Sequence, residues 1–211
     1  MITCWNRVQH CYIDRQILVS APGNSTPWQQ YQTDLERDDF HHDAAQENAV
    51  KHLQRLYDDV TSSLNQPKLG LLAKLFSSKQ KQSIQGLYFW GGVGRGKTYL
   101  VDTFYECLPT DKKLRIHFHR FMHKVHDEMN ELKGVNDPLK IVAKRFAEQA
   151  TVICFDEFYV SDITDAMILG TLLEEFFKLG VIFVTTSNIV PGDLYKNGLQ
   201  RARFLPAIDL L

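Results

Sequence analysis

The segment between residues 91 and 98 has the spacing that indicates its chemistry most specifically. Glycines are followed there by lysine and threonine. It reads Gly91-Gly-Val-Gly-Arg-Gly-Lys-Thr98 and fits the G-x-x-x-x-G-K-[ST] pattern at every position. Glycines let successive backbone N–H groups surround phosphate oxygens without Cβ clashes, and the helix beginning near Lys97 presents its positive end to the same phosphates. Lys97 is expected to reach the β- and γ-phosphates, and the Thr98 hydroxyl to bind Mg²⁺. The pattern predicts a nucleoside triphosphate site, with ATP favoured, formed by Gly91, Gly92, Val93, Gly94, Arg95, Gly96, Lys97, Thr98 and Tyr99.

Two adjacent carboxylates end a second apolar run further along the chain. Val152-Ile-Cys-Phe-Asp-Glu157 has the form of a buried strand whose tip carries Asp156 and Glu157. Asp156 is expected to hold the magnesium ion, directly or through water. Glu157 points elsewhere and can polarise the attacking water as a general base. This second carboxylate favours ATP hydrolysis over a P-loop kinase that transfers phosphate to a small molecule.

A third group of polar residues ends the next apolar run, Val181–Thr185. In Thr185-Thr-Ser-Asn188, the amide of Asn188 is placed to sit between Asp156 and the γ-phosphate and to orient the water, with Thr186 and Ser187 as its neighbours. The alternative is a hydrogen-bonded turn rich in Ser and Asn.

Two arginines, Arg201 and Arg203, lie near the end of the chain. In an ATPase that forms rings, an arginine at this place projects into the site of the next subunit and stabilises charge on the γ-phosphate. The alternative is a surface arginine that pairs with nearby acids. The sequence leaves open which of the two acts as such a finger.

Apolar runs that alternate with helical patterns must position these groups. Strands are expected at Leu87–Trp90, Leu114–Phe118, Thr151–Phe155, Val181–Thr185 and Phe204–Leu210, with helices near 97–107, 119–132, 138–149, from Ser161 or Asp162 to Leu179, and 192–200. A further helix begins at Asp43 and Gln46, which have capping-box spacing. Strands that alternate with helices predict an α/β P-loop fold, with a five-stranded parallel sheet between helical layers.

Composition narrows the class of protein. The 211 residues suffice for one sizeable domain with a small appendage: an extension at 1–25, a helical segment and connector at 26–85, and an ATPase core at 86–211. Residues 1–25 are either an extra strand or residues translated from an early start. A net charge of −1 gives no reason to expect a nucleic-acid partner.

The remaining features favour a cytosolic chain. None of the four cysteines forms a C-x-x-C pair, and neither a secretory signal nor a membrane-spanning run is visible. The basic, amphipathic segment Lys68–Phe76 suits either an anionic membrane surface or a connector packed on the core, and the connector is favoured because Gly70 interrupts this short segment.

Four blocks together resemble the ZapE family of AAA+ ATPases, bacterial proteins linked to cell division with mitochondrial relatives. The resemblance extends from about Thr26 to Leu211, and it includes more than the general ATPase signature. The blocks are Gly86–Thr98, His117–Met122, Cys154–Ile163 and Asn197–Pro206.

The resemblance implies an AAA+ core, ATP hydrolysis, self-association through the ATP site, and an action on the tubulin-like division-ring protein FtsZ. It also implies a bacterial cytoplasmic location with recruitment to the division site at the inner membrane face. The family continues past the position of Leu211 into a helical lid, so this lidless chain is expected to bind ATP weakly and hydrolyse it poorly.

The histidines in the second block suggest one more kind of site, a zinc site. An H-x-H pair on a strand would place His117 and His119 on one face, as a zinc site requires. No further ligand has obvious spacing, so contacts with a partner or subunit are favoured over metal.

Two functions from different classes remain. One is an ATPase that remodels a protein partner. The other is a binding module gated by nucleotide, in which hydrolysis is incidental.

Overall fold

The computed structural model describes residues 25–65 and 84–211, and the expectations for residues 1–24 and for Lys68–Phe76 lie outside the described residues. The elements follow in chain order: α1 (Pro27–Asp34), α2 (Ala44–Asn65), β1 (Leu87–Trp90), α3 (Lys97–Cys107), β2 (Lys113–His117), α4 (Phe118–Glu131), α5 (Pro138–Gln149), β3 (Val152–Asp156), α6 (Ile163–Lys178), β4 (Ile182–Ser187), 3₁₀ turns at Pro191–Asp193 and Arg201–Arg203, and α7 (Leu205–Leu210).

The described strands form one parallel sheet in the order β1-β4-β3-β2. The parallel α/β architecture predicted from the sequence is confirmed, but the fifth strand predicted at Phe204–Leu210 is wrong. Those residues form α7, because Phe204, Ala207, Ile208 and Leu211 recur at helical spacing and all contact the core. Pro206 is tolerated in the first turn of a helix but would remove a ladder hydrogen bond from a central strand.

Successive residues of β3 divide the core into two layers. Ile153 and Phe155 face α4, α5 and α6, where the Phe155 ring lies 4.8 Å from that of Phe121. Val152 and Cys154 face α1, α2 and α3 on the other side. A strand buried on both faces explains why this run is apolar without alternation. The N-terminal helices therefore share a core with α3, the helix that follows the glycine-rich segment.

Local backbone signals explain the remaining differences from the predicted elements. The helix expected at 192–200 is replaced by turns, because Tyr195 and Gln200 adopt positive φ values of 52° and 56°. Helix α1 was not predicted from the sequence, although Thr26 and Gln29 form a capping box around Pro27 at its start.

Helix α6, which follows the two carboxylates, begins with a side-chain cap. Of the two predicted caps, Asp162 is the residue used, and it accepts hydrogen bonds from the backbone N–H groups of Thr164 and Asp165. These donors, that of Thr164 first, lower the pKa of Asp162. Within the described ranges, no helix combines the length and the apolar content that crossing a bilayer requires.

Candidate nucleotide-binding and catalytic site

The three segments predicted to carry chemistry meet at one edge of the sheet. The glycine-rich segment follows β1, Asn188 follows β4, and Glu157 follows β3, and these strands are adjacent and parallel. Trp90, the last residue of β1, pairs with Ser187 at the end of β4. The carboxyl ends of neighbouring parallel strands are the usual place for a ligand in an open α/β sheet.

Positive φ values shape the segment between β1 and α3. Gly94 has φ 81° and Gly96 has φ 74°, and Gly96 is also the N-cap of α3. A Cβ at Gly96 would lie 2.4 Å from Nε2 of Gln46 on α2. The backbone conformation favours glycine at this position, whereas the Gln46 side chain is long enough to move aside.

Lys97 lies across the segment that precedes it. Its Nζ donates hydrogen bonds to the backbone oxygens of Gly91, at 2.5 Å, and Gly92, at 2.7 Å, and to Oδ1 of Asn188, at 3.0 Å. An ammonium has three donors, and all three are used here. Burial, followed by the nearby charge of Arg95, lowers the pKa of Lys97. The structure thus brings together Lys97 and Asn188, which are 91 residues apart in sequence.

The two residues before Asn188 support the neighbouring carboxylate loop. Thr186 and Ser187 are buried. The backbone N–H of Glu157 donates to Oγ1 of Thr186 at 3.3 Å, and Oγ of Ser187 donates to the backbone oxygen of Phe158 at 2.7 Å. The backbone N–H of Phe158 donates to the oxygen of Thr186 at 2.7 Å. These bonds fix the chain just beyond β3.

Glu157 has its side chain in solvent and its backbone in an uncommon conformation. Its φ is 55°, and 80% of its side chain is exposed. Among the described residues, the group that pairs with it is His117, whose Nδ1 lies 3.7 Å from Oε2 of Glu157. An exposed carboxylate at a strand tip can accept a proton from a bound water, which is the role predicted for it.

Asp156 is held by an arginine that the sequence analysis did not single out. Nε of Arg115 donates to Oδ2 of Asp156 at 2.8 Å, and Nη2 donates to Oδ1 at 3.3 Å. Nη1 of Arg115 also pairs with Oδ1 of Asp102 on α3. The available signal was a charged residue between Leu114 and Ile116, because a charge in a covered sheet needs a partner.

The donor set fits a magnesium ion. Thr98 in the first turn of α3 and Asp156 at the tip of β3 offer a hydroxyl and a carboxylate, and Mg²⁺ prefers oxygen ligands together with several waters. A carboxylate has about four lone-pair sites, so the ion or its bound water would share Asp156 with the guanidinium of Arg115. Thr98 and Asp156 are therefore the residues that would hold the ion.

Tyr99 differs from the other residues of the predicted nucleotide set. Its hydroxyl donates to Oδ2 of Asp34 on α1 at 2.6 Å, and its ring lies 5.0 Å from that of Phe40. Burial and the hydrogen bond with Asp34 raise the pKa of Tyr99. The side chain thus ties α3 to α1, away from the glycine-rich segment.

The two arginines near the end of the chain have different surroundings. Nη2 of Arg201 donates to the backbone oxygen of Gly192 at 2.6 Å, and its Nε is buried. Arg203 is exposed and donates to Oε1 of Gln200 at 3.2 Å. Both lie before α7, and not before a strand as the sequence suggested.

The histidines do not share a strand face. His117 is the last residue of β2 and Phe118 already begins α4, so His119 lies on a helix. There Nε2 of His119 lies 3.0 Å from Nε2 of His123. In the described part of the chain, no group of three or more His, Cys, Asp or Glu side chains is placed to hold a metal.

Comparison with known proteins shows which family the chain resembles. The family model described as AFG1-like ATPase matches residues 25–211. The cell division protein ZapE of Escherichia coli K12 is 50% identical over 194 residues, which cover 88% of this chain and 52% of ZapE. The chain thus spans about half the length of this relative.

Solved structures show the same fold at low identity. DnaI has a TM-score of 0.53 at 18% identity, covering 82% of this chain and 85% of that one. AMPPCP-bound DnaA from Aquifex aeolicus has a TM-score of 0.51 at 13% identity, covering 79% of this chain and 46% of that one. These likenesses show that the chain shares the fold of both proteins.

Proposed function

The chain belongs to the AFG1-like ATPase family, and on that premise we propose that it binds and hydrolyses Mg²⁺-ATP at the edge of the sheet formed by β1, β4 and β3. The observation that carries the proposal is the contact of Lys97 with Asn188, at 3.0 Å. This contact joins the end of the glycine-rich segment to the end of β4, the strand that lies between β1 and β3. Hydrolysis of a bound γ-phosphate needs groups from these neighbouring strand ends to lie together.

Binding would use the backbone of the glycine-rich segment and the ammonium of Lys97. The N–H groups of residues 91–98 and the start of α3 provide donors and a positive dipole end for the phosphates. Lys97 exchanges the carbonyl oxygens of Gly91 and Gly92 for phosphate oxygens, while Asn188 limits its movement. A magnesium ion, when bound, neutralises charge on the phosphates.

Hydrolysis would depend on Glu157 and Asn188. Glu157 takes the proton of the attacking water, and a hydrogen bond to Thr186 holds its backbone in place. Asn188 orients the water or the γ-phosphate through its amide. Arg203 from a neighbouring subunit completes the charge stabilisation in this proposal.

The cellular role follows from the same relatives. ZapE is a cell division protein by name, and we propose a role in bacterial cell division with FtsZ as the partner, in the cytoplasm at the division site. Self-association through the ATP site is part of this proposal.

The test is substitution of the lysine. Lys97→Ala removes the ammonium at the phosphates, so the Kd for ATP should rise about tenfold or more, since about 1.4 kcal/mol corresponds to each tenfold. Isothermal titration calorimetry measures it. Lys144→Ala, which removes an exposed lysine of α5, is the control and should bind as the unaltered chain does. Equal affinity in both variants would contradict the assignment of the site.

A further inference from the structure

Arg115 is a charged residue between two apolar neighbours in β2. Its side chain is 22% exposed, and it lies between Leu114 and Ile116 in β2. Burying a charge is unfavourable unless partners of opposite charge meet it, so this position needs a reason beyond strand formation. One such partner is Asp156, the residue predicted to hold the magnesium ion.

The guanidinium bridges two carboxylates from different elements. It donates to both oxygens of Asp156, and through Nη1 it also contacts Asp102. Asp156 is 15% exposed and Asp102 is 49% exposed. One positive charge is thus shared by two negative charges, which leaves a net charge of one negative unit in the group.

Asp102 lies close to the predicted metal ligand on its own helix. Thr98 and Asp102 are four residues apart on α3, and residues at this spacing share one face of a helix. Arg115 therefore contacts Asp156, the carboxylate predicted to hold the metal, on one side. On the other side it contacts Asp102, on the face of α3 that also carries Thr98. Its charge is placed where it acts on any cation held by Thr98 and Asp156.

We propose that Arg115 is a positioning residue that limits the affinity of the site for Mg²⁺, and that Asp102 is the alternative partner that frees Asp156 for the ion. The inference rests on the proposed function. When the ion binds at Asp156, the guanidinium loses attraction to that carboxylate and keeps its bond to Asp102. The strength of the Arg115–Asp102 contact therefore tunes the dependence of nucleotide binding on Mg²⁺.

Two substitutions that change the affinity for Mg²⁺ in opposite directions distinguish this role from one in which Arg115 only braces β2 against α3. Arg115→Gln removes the competing cation and leaves two carboxylates, so Mg²⁺ should be held more tightly. Asp102→Asn removes the alternative partner, so the guanidinium should hold Asp156 more strongly and Mg²⁺ should be held less tightly. If the bridge only braced the fold, both substitutions would act in the same direction.

The experiment measures binding without turnover. The Kd of the fluorescent, non-hydrolysable analogue mant-AMPPNP is measured in the presence of Mg²⁺ and in the presence of EDTA, and the ratio of the Kd in EDTA to the Kd in Mg²⁺ is compared between variants. We expect the ratio to rise about tenfold in Arg115→Gln and to fall about tenfold in Asp102→Asn, because charges in contact near a surface interact by more than the 1.4 kcal/mol of one decade. The double variant Arg115→Gln/Asp102→Asn should lie close to the unaltered chain.

Controls separate folding and function. Arg120→Gln removes an exposed arginine of α4 and should leave the ratio unchanged. Thermal unfolding of each nucleotide-free variant checks the fold. If Arg115→Gln does not fold, the inference is tested with Asp102→Asn alone, because the side chain of Asp102 is half-exposed. A ratio that is unchanged in Asp102→Asn, or that moves in the same direction in both variants, overturns the inference. Unaltered protein that fails to bind the analogue, or binds it without any effect of Mg²⁺, overturns the proposed function and this inference with it.

Discussion

Glu157 adopts a backbone conformation that most residues with a Cβ avoid. Its φ of 55° lies in the left-handed region, which costs such a residue about 1–2 kcal/mol. Two hydrogen bonds keep the chain there, from N–H of Glu157 to Thr186 and from N–H of Phe158 to the oxygen of Thr186. Strain that is retained at a predicted general base is consistent with a requirement on where its carboxylate points.

The carboxylate itself is tested by Glu157→Gln. The amide keeps the size and much of the hydrogen bonding but cannot take a proton, so ATP should bind as before while turnover falls about a hundredfold or more. Phosphate release and equilibrium binding are measured on the same protein. Glu106→Gln, which changes an exposed residue of α3, serves as the control.

Two outcomes of that experiment would change the interpretation. Turnover that survives in Glu157→Gln would show that Glu157 is not the base. Partner remodelling that survives while turnover is lost would favour the nucleotide-gated binding module over the ATPase that remodels its partner.

At the scale of elements, the edge strand β1 depends on a close backbone approach. A Cβ at Gly86, the residue before β1, would lie 2.1 Å from the backbone oxygen of Phe183 on β4. A backbone oxygen cannot move away without breaking the pairing of Leu87 with Val184. The position of β1, and of the glycine-rich segment that follows it, thus depends on a residue without a side chain.

Gly86→Ala is therefore expected to lower the free energy of unfolding by about 2 kcal/mol or more, as substitutions that force a backbone shift do. Urea unfolding followed by circular dichroism measures this loss. Gly192→Ala is the matched control, because a Cβ there meets no described atom within 4 Å. Similar stability of the two variants would contradict the close approach.

The features that could be predicted from the sequence are those encoded by residues close together in the chain. The glycine-rich segment and the cap at Asp162 are encoded within a few residues, and the structure places both as predicted. The α7 helix was predicted as a strand because its run of apolar residues is short, although their helical spacing and Pro206 were visible in the sequence. Arg115 was missed because its partners, Asp102 and Asp156, come from two other elements that only the folded chain brings together.

At the scale of the whole molecule, the two arginines before α7 differ in what they are free to do. Arg201 is bonded to Gly192 in its own chain and has a buried Nε, whereas Arg203 is exposed. A finger must reach a neighbouring subunit, so Arg203 is the better candidate and Arg201 the better support for the turn.

We expect Arg203→Ala to lower turnover about a thousandfold in assembled protein, as removal of a finger does in related phosphoryl transfer, while Arg201→Ala chiefly lowers stability. Turnover per chain should rise with protein concentration, because each complete site needs a neighbour. Mixing Arg203→Ala with Lys97→Ala should restore part of the activity. Turnover that is independent of concentration, with no restoration on mixing, would indicate that a single chain is the active unit.

The strand order also determines when the phosphate-binding segment can take shape during synthesis. Its strand, β1, is held by β4, and the hydroxyl of Tyr88 bonds the backbone oxygen of Ile189, 101 residues later. The ribosome therefore releases the glycine-rich segment long before it releases the strand on which that segment rests. Pairings this distant in sequence form late, whereas β3 and β4 are close enough to pair early. The glycine-rich segment can therefore rest on its native strand pairing only after β4 has left the ribosome.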